Sequence, residues 1–141
     1  MEKINVYVVS DDAAVCDSIT NLLEPSGMKA QVFESLHTYS NMAEPHSHRC
    51  LVLDTHNVDL GDANQVSLLE SVCAAMSVIL ITNRGDVLTA VRGMKLGATD
   101  VVQKPYRTNR LLDSVRQAID TENYSNQSTG SKLSHLNDNE S

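Results

Sequence analysis

No apolar stretch in the 141 residues approaches the roughly 20 needed to cross a bilayer, so no membrane association is expected. Positive charge is scarce. Eleven Lys and Arg stand against 18 Asp and Glu, for a formal net charge of -7, which repels polyphosphate backbones and anionic lipid. This segment is therefore not expected to bind nucleic acid itself, and a DNA-contacting role would need another domain. The three cysteines, Cys16, Cys50 and Cys73, are odd in number, far apart and set among apolar residues such as Cys50-Leu51-Val52-Leu53. They suit small buried thiols rather than a disulfide framework, and point to a reducing, cytoplasmic compartment. No internal repeat or glycine-rich phosphate loop is present. His46, His48 and Cys50 lack a convincing fourth metal ligand.

What the chain does have is alternation. A length of 141 residues is ordinary for one domain. Short β-rich runs at Asn5 to Val9, Lys29 to Phe33, Arg49 to Asp54, Ser77 to Thr82 and Thr99 to Gln103 alternate with helical patterns, the rhythm of βαβ units around a parallel sheet. Val6-Tyr7-Val8-Val9, Leu51-Val52-Leu53 and Val78-Ile79-Leu80-Ile81 are nearly continuous apolar runs, as strands buried on both faces require. Lys29 to Phe33 alternates more and suits an edge. The intervening periodicity predicts helices over Ala13 to Leu23, Ser35 to Met42, Asn64 to Ala75, Asp86 to Leu96 and Thr108 to Asn123. In the fourth, Val87, Val91 and Met94 are expected to face inward. Met42, Met76 and Met94 are read as core gap fillers. From Tyr124 onward the composition turns polar, which divides the chain into a domain of residues 1–123 and a tail or linker of residues 124–141.

Asp11, Asp12, Asp54, Thr82 and Lys104 each follow an apolar run, so a parallel sheet gathers them at one edge. Crowded carboxylates repel one another unless a divalent cation or a lysine neutralises them, which makes this a poor arrangement for stability alone. Taken singly, each has a plainer role. Asp11 or Asp12 would cap the helix that follows, Thr82 would be a strand-end hydroxyl, Lys104 a solvated charge and Pro105 a turn residue.

The motifs Val8-Val9-Ser10-Asp11-Asp12, Leu51-Val52-Leu53-Asp54, Ile79-Leu80-Ile81-Thr82 and Lys104-Pro105, in this order and spacing, resemble the receiver domain of two-component response regulators. Gly85-Asp86-Val87, Ala90-Val91-Arg92, Met94-Lys95, Gly97-Ala98 and Asp100 look closer still to receivers that precede LuxR-type helix-turn-helix output domains. The likeness covers about residues 3 to 120.

That resemblance implies an α/β fold, a doubly wound five-stranded parallel sheet of flavodoxin-like (βα)5 type and order 2-1-3-4-5. It implies Asp54 as phosphoacceptor, with Thr82 and Lys104 acting on the phosphoryl group. Mg2+ would be held by Asp11, Asp54 and the backbone carbonyl of His56, with Asp12 near or acting through water. It further implies a cis bond at Lys104-Pro105 and a switch through Thr82 and the position of Val101, which remodels the face of the fourth helix, fifth strand and fifth helix. The implied partners are a sensor histidine kinase or phosphotransfer protein, a second copy in a homodimer, and a DNA-binding output domain acting in transcription. The domain itself is not expected to be an enzyme.

The chain departs from the family pattern at Ser10, where an acid is usual, at Thr55-His56-Asn57-Val58-Asp59, which lacks a stiffening proline, and at Val101, where Tyr or Phe is common. These departures favour the alternative of a degenerate receiver working as a phosphorylation-independent interaction or dimerisation module. A haloacid-dehalogenase-type phosphatase needs a second acid where His56 stands. An FMN carrier would not place acids after the first strand.

Overall fold

The computed structural model describes residues 4–42 and 48–127. Five strands, β1 (Ile4–Val9), β2 (Met28–Phe33), β3 (His48–Asp54), β4 (Ser77–Thr82) and β5 (Asp100–Gln103), alternate with five helices. These are α1 (Ala13–Leu23), α2 (Leu36–Met42), α3 (Ala63–Ala75), α4 (Val87–Lys95) and α5 (Thr108–Gln127). All strand pairings are parallel and the order is β2-β1-β3-β4-β5, the expected doubly wound sheet with β2 at an edge. Helix α5 extends four residues past Asn123, the end that periodicity suggests. Residues 128–141, most of the polar tail, and His46 lie outside the described residues.

The pleat sorts the strand residues into two cores. Val6, Val8, Cys50, Val52, Ile79 and Ile81 join Ile19 and Leu23 of α1 and Leu111, Val115 and Ile119 of α5. Tyr7, Val9, Leu51, Leu53, Val78 and Leu80 join Leu36 and Tyr39 of α2 and Leu69 and Val72 of α3. Every residue of β4 is buried, and each fully buried Val, Leu or Ile contributes about 1.5–3 kcal/mol of apolar transfer free energy. Cys16, Cys50 and Cys73 form no disulfide, and the first two are buried.

Short polar side chains start the helices. Asp12, Asp62 and Asp86 accept amide hydrogen bonds at the N-termini of α1, α3 and α4, and Ser35 does the same for α2, taking the Thr38 N–H at 3.0 Å.

Helix α4 corrects one expectation. Val87, Val91 and Met94 face solvent, at 62, 44 and 49% exposure, together with Leu88 at 70%. The small residues take the inner face instead. Gly93 is buried there, and a Cβ at this position would collide with the side chain of Leu80 on β4. The helix thus approaches the sheet through a smooth face, and the larger apolar residues are turned outward. Of the methionines read as core, Met76 is buried and Met94 is not, while the Met42 side chain lies outside what the structure describes.

Candidate functional site

The carboxyl edge of the sheet carries the site. Asp54 ends β3 opposite Ile81 of β4 and is 4% exposed. A buried carboxylate must be satisfied, and four contacts do so. Its Oδ1 accepts the His56 N–H at 3.1 Å and lies 3.4 Å from Lys104 Nζ, while its Oδ2 accepts the Ser10 hydroxyl at 3.2 Å and lies 3.3 Å from the same ammonium. Lys104 follows β5, where its backbone N–H bonds the Thr82 carbonyl at 2.8 Å, so the lysine is anchored to the strand that separates it from Asp54. The Lys104–Pro105 peptide is cis.

Thr82 closes β4 and is fully buried. Among the described residues, its Oγ1 is the one buried side-chain polar atom without a hydrogen-bond partner. Thr55, next to Asp54, has its hydroxyl committed to the Ile81 carbonyl at 2.9 Å, which ties the turn after β3 to β4.

The acids after β1 divide their roles. Asp12 turns its carboxylate to α1, with Oδ1 taking the N–H groups of Ala14 at 2.9 Å and Val15 at 3.4 Å. This is the capping role that a short acid before a helix favours. Asp11 is exposed, and its amide bonds Oδ1 of Asn57 at 3.3 Å, which links the loop after β1 to the turn after β3. His56 is exposed in that turn.

Among the described residues no three or more His, Cys, Asp or Glu side chains cluster as a metal cage. The donors at this edge are nonetheless oxygens, chiefly carboxylate, and suit in kind a small hard cation that keeps much of its water. Ser10 is the residue that sequence reasoning undervalued. Its contact with Asp54 spans 44 positions of sequence and follows only from the pairing of β1 with β3.

Around this centre the supporting groups are polarised. Burial pushes the Cys16 thiol up, and its Sγ donates to the Ser10 carbonyl at 3.4 Å. Burial also raises Tyr106, with the Asp54 charge adding to the effect, while a hydrogen bond with Ser18 of α1 opposes it. On the far side of β5, burial would lift the Asp100 carboxyl. Hydrogen bonds from Arg110, Ser114 and the Val101 N–H outweigh that effect and hold it below the usual carboxylate range. Arg110 also donates to the Val101 carbonyl at 3.2 Å, which locks β5 to α5. Val101 lines an apolar concavity of about 420 Å³ with Ala90, Val91, Met94 and Lys95 of α4.

A doubly wound parallel sheet with a lysine-paired aspartate and an unpartnered threonine at its carboxyl edge defines a class of α/β domain whose site lies in the crevice at the carboxyl ends of the strands. Within that class, residues 6–116 match the response regulator receiver domain, and the chain belongs to that family. Nodulation protein W of Bradyrhizobium diazoefficiens is 35% identical over 118 residues, which cover 84% of this chain and 52% of that protein. The transcriptional regulatory protein FixJ of Azorhizobium caulinodans is 33% identical over 118 residues, covering 84% and 56%. Among solved structures, full-length FixJ from B. japonicum aligns with a TM-score of 0.72 at 32% identity, over 86% of this chain and 60% of that one. The chain thus spans a little over half the length of the curated relatives it matches. Receiver domains generally bind Mg2+ beside their acceptor aspartate. No described helix is long and apolar enough to cross a membrane.

Proposed function

We propose that this protein is a phosphoacceptor receiver that takes a phosphoryl group onto Asp54 from a sensor histidine kinase or phosphotransfer protein. The observation that carries this reading is the orphaned hydroxyl of Thr82. A buried O–H without a partner costs about 1–3 kcal/mol and is retained at little benefit unless another state supplies an acceptor. A phosphoryl group brings three strong acceptor oxygens.

In the transfer, a carboxylate oxygen of Asp54 attacks phosphorus, the phosphorus–nitrogen bond of the phosphohistidine donor breaks, and the imidazole nitrogen leaves with the electron pair. The product is an acyl phosphate. Lys104 Nζ, already 3.3 Å from Asp54, neutralises the charge that accumulates on the phosphoryl oxygens, and Thr82 donates to one of them. Asp11, Asp54 and the His56 carbonyl would hold Mg2+, with Asp12 acting through water because its carboxylate caps α1. The ion supplies additional charge neutralisation when bound.

Drawing Thr82 toward the phosphate moves the β4–α4 loop, and the change reaches the α4–β5–α5 face at Val101. That face exposes Val87, Leu88, Val91 and Met94, an apolar patch suited to a second copy of the domain. A phosphorylation-dependent homodimer that positions a DNA-binding output domain, acting in transcription in the cytoplasm, is the reading that the regulatory relatives support. One observation favours the alternative of a phosphorylation-independent interaction module, namely Ser10 in contact with Asp54 where the family usually has an acid.

Incubation with MgCl2 and acetyl phosphate separates the two. The proposal expects a mass gain of one phosphoryl group that is absent in Asp54→Asn. No gain with acetyl phosphate or with a phosphorylated histidine donor would leave only the interaction module.

A further inference from the structure

Ser10 is fixed at every polar atom. It is 1% exposed, its N–H bonds the Phe33 carbonyl at 3.0 Å, and its carbonyl takes the Cys16 thiol at 3.4 Å. Its hydroxyl accepts the Asp12 N–H at 3.2 Å and donates its one proton to Asp54 Oδ2, also at 3.2 Å. With the His56 amide and two approaches by Lys104, that bond brings the contacts on the Asp54 carboxylate to four, about as many as its lone pairs accommodate. The chain satisfies this carboxylate by itself.

An acid at position 10 would act in the opposite sense. It would set a second buried carboxylate against Asp54, beyond the one charge that Lys104 neutralises, and a bound divalent cation would offset the repulsion. A serine in that place removes the repulsion and supplies a donor. We propose that Ser10 is a positioning residue that holds the Asp54 carboxylate and renders the resting site complete without a divalent cation, in the place where an acidic neighbour would make stability depend more strongly on one. The inference deepens the phosphoacceptor reading of the same site, but its main readout is stability and does not require that phosphorylation occur.

The test compares thermal unfolding of the wild type, Ser10→Asp and Ser10→Asn in EDTA and in millimolar MgCl2. Asp and Asn have nearly the same size and differ in charge. The wild-type midpoint is expected to rise with Mg2+ only by what binding at Asp11 and Asp54 adds, clearly less than that of Ser10→Asp, which loses about 4 °C or more in EDTA and recovers most of it with Mg2+. A Ser10→Asp protein that folds only with Mg2+ is the extreme of the same result. Ser10→Asn is expected to rise with Mg2+ no more than the wild type does, since it adds bulk without charge. The proposal is overturned if the wild type depends on Mg2+ as strongly as Ser10→Asp, or if the Asp and Asn variants lose equally and neither recovers. Labelling by acetyl phosphate in parallel tells the two claims apart. Absence of label in the wild type defeats the phosphoacceptor reading and leaves the melting comparison intact, whereas label with the wrong melting pattern defeats the role of Ser10 alone.

Discussion

Lys104 reaches across the end of β4 to Asp54, placing one ammonium 3.3 and 3.4 Å from the two oxygens of a carboxylate that is 4% exposed. The two residues lie 50 positions apart in sequence, and only the β3-β4-β5 order brings them together. Such a pair is valuable chiefly because breaking it leaves a charge stranded.

Lys104→Met is therefore expected to destabilise the protein by about 1–3 kcal/mol, below the full cost for a wholly buried pair because the lysine side chain keeps 30% exposure. Adding Asp54→Asn should return part of the loss by removing the stranded charge. Urea unfolding of the two single variants and the double variant measures this coupling, and simple additivity would show that the pair is not coupled.

Thr82→Val is expected to have opposite signs in two assays. The hydroxyl has no partner in the unphosphorylated protein, so replacing it with a methyl group should raise stability by about 1 kcal/mol. The same change should slow labelling by acetyl phosphate, because a donor to the phosphoryl oxygens is gone. Equal labelling of the two proteins would remove Thr82 from the chemistry.

Val91→Glu alters an exposed residue of α4 and is expected to leave the unfolding free energy within about 0.5 kcal/mol. If the α4 face joins two phosphorylated copies, the variant should remain monomeric in sedimentation under conditions in which the labelled wild type dimerises. Dimers that persist in the variant would place the contact elsewhere.

Alkaline pH should unfold the protein progressively. Burial raises the Cys73 thiol from 9.0 to about 11, with Glu70 adding to the shift, and raises the Tyr39 hydroxyl from 10.0 to about 12, with Tyr7 contributing. Below pH 9 both groups are protonated whether folded or not, and their stability contribution is complete. As pH climbs from about 9 to 12, the unfolded chain releases protons that the folded chain retains, so stability falls. The urea midpoint is expected to hold level up to about pH 9 and then decline. Cys73→Ala should weaken the first part of the decline without abolishing it, because Cys16 is also raised.

The alternation of apolar runs with helical periodicity made the fold readable in the chain, because a strand buried on both faces must be apolar throughout and its ends must be polar. Val78-Ile79-Leu80-Ile81 followed by Thr82 is one such passage, and Leu51-Val52-Leu53 followed by Asp54 is another. The same logic misjudged α4. Its apolar residues have helical spacing, but periodicity does not say which of two faces meets the sheet, and Gly93 against Leu80 decided that through closeness of approach.

Local chemistry thus determined the elements, their sequence and the polar residues at their ends. The tertiary structure decided how those polar residues are used. Asp12 is held by the amides of its own helix, whereas Ser10, the neutral neighbour, reaches the buried carboxylate. The reason is geometric: hydrogen bonds act over about 3 Å, and which groups come that close depends on the register of strands distant in sequence.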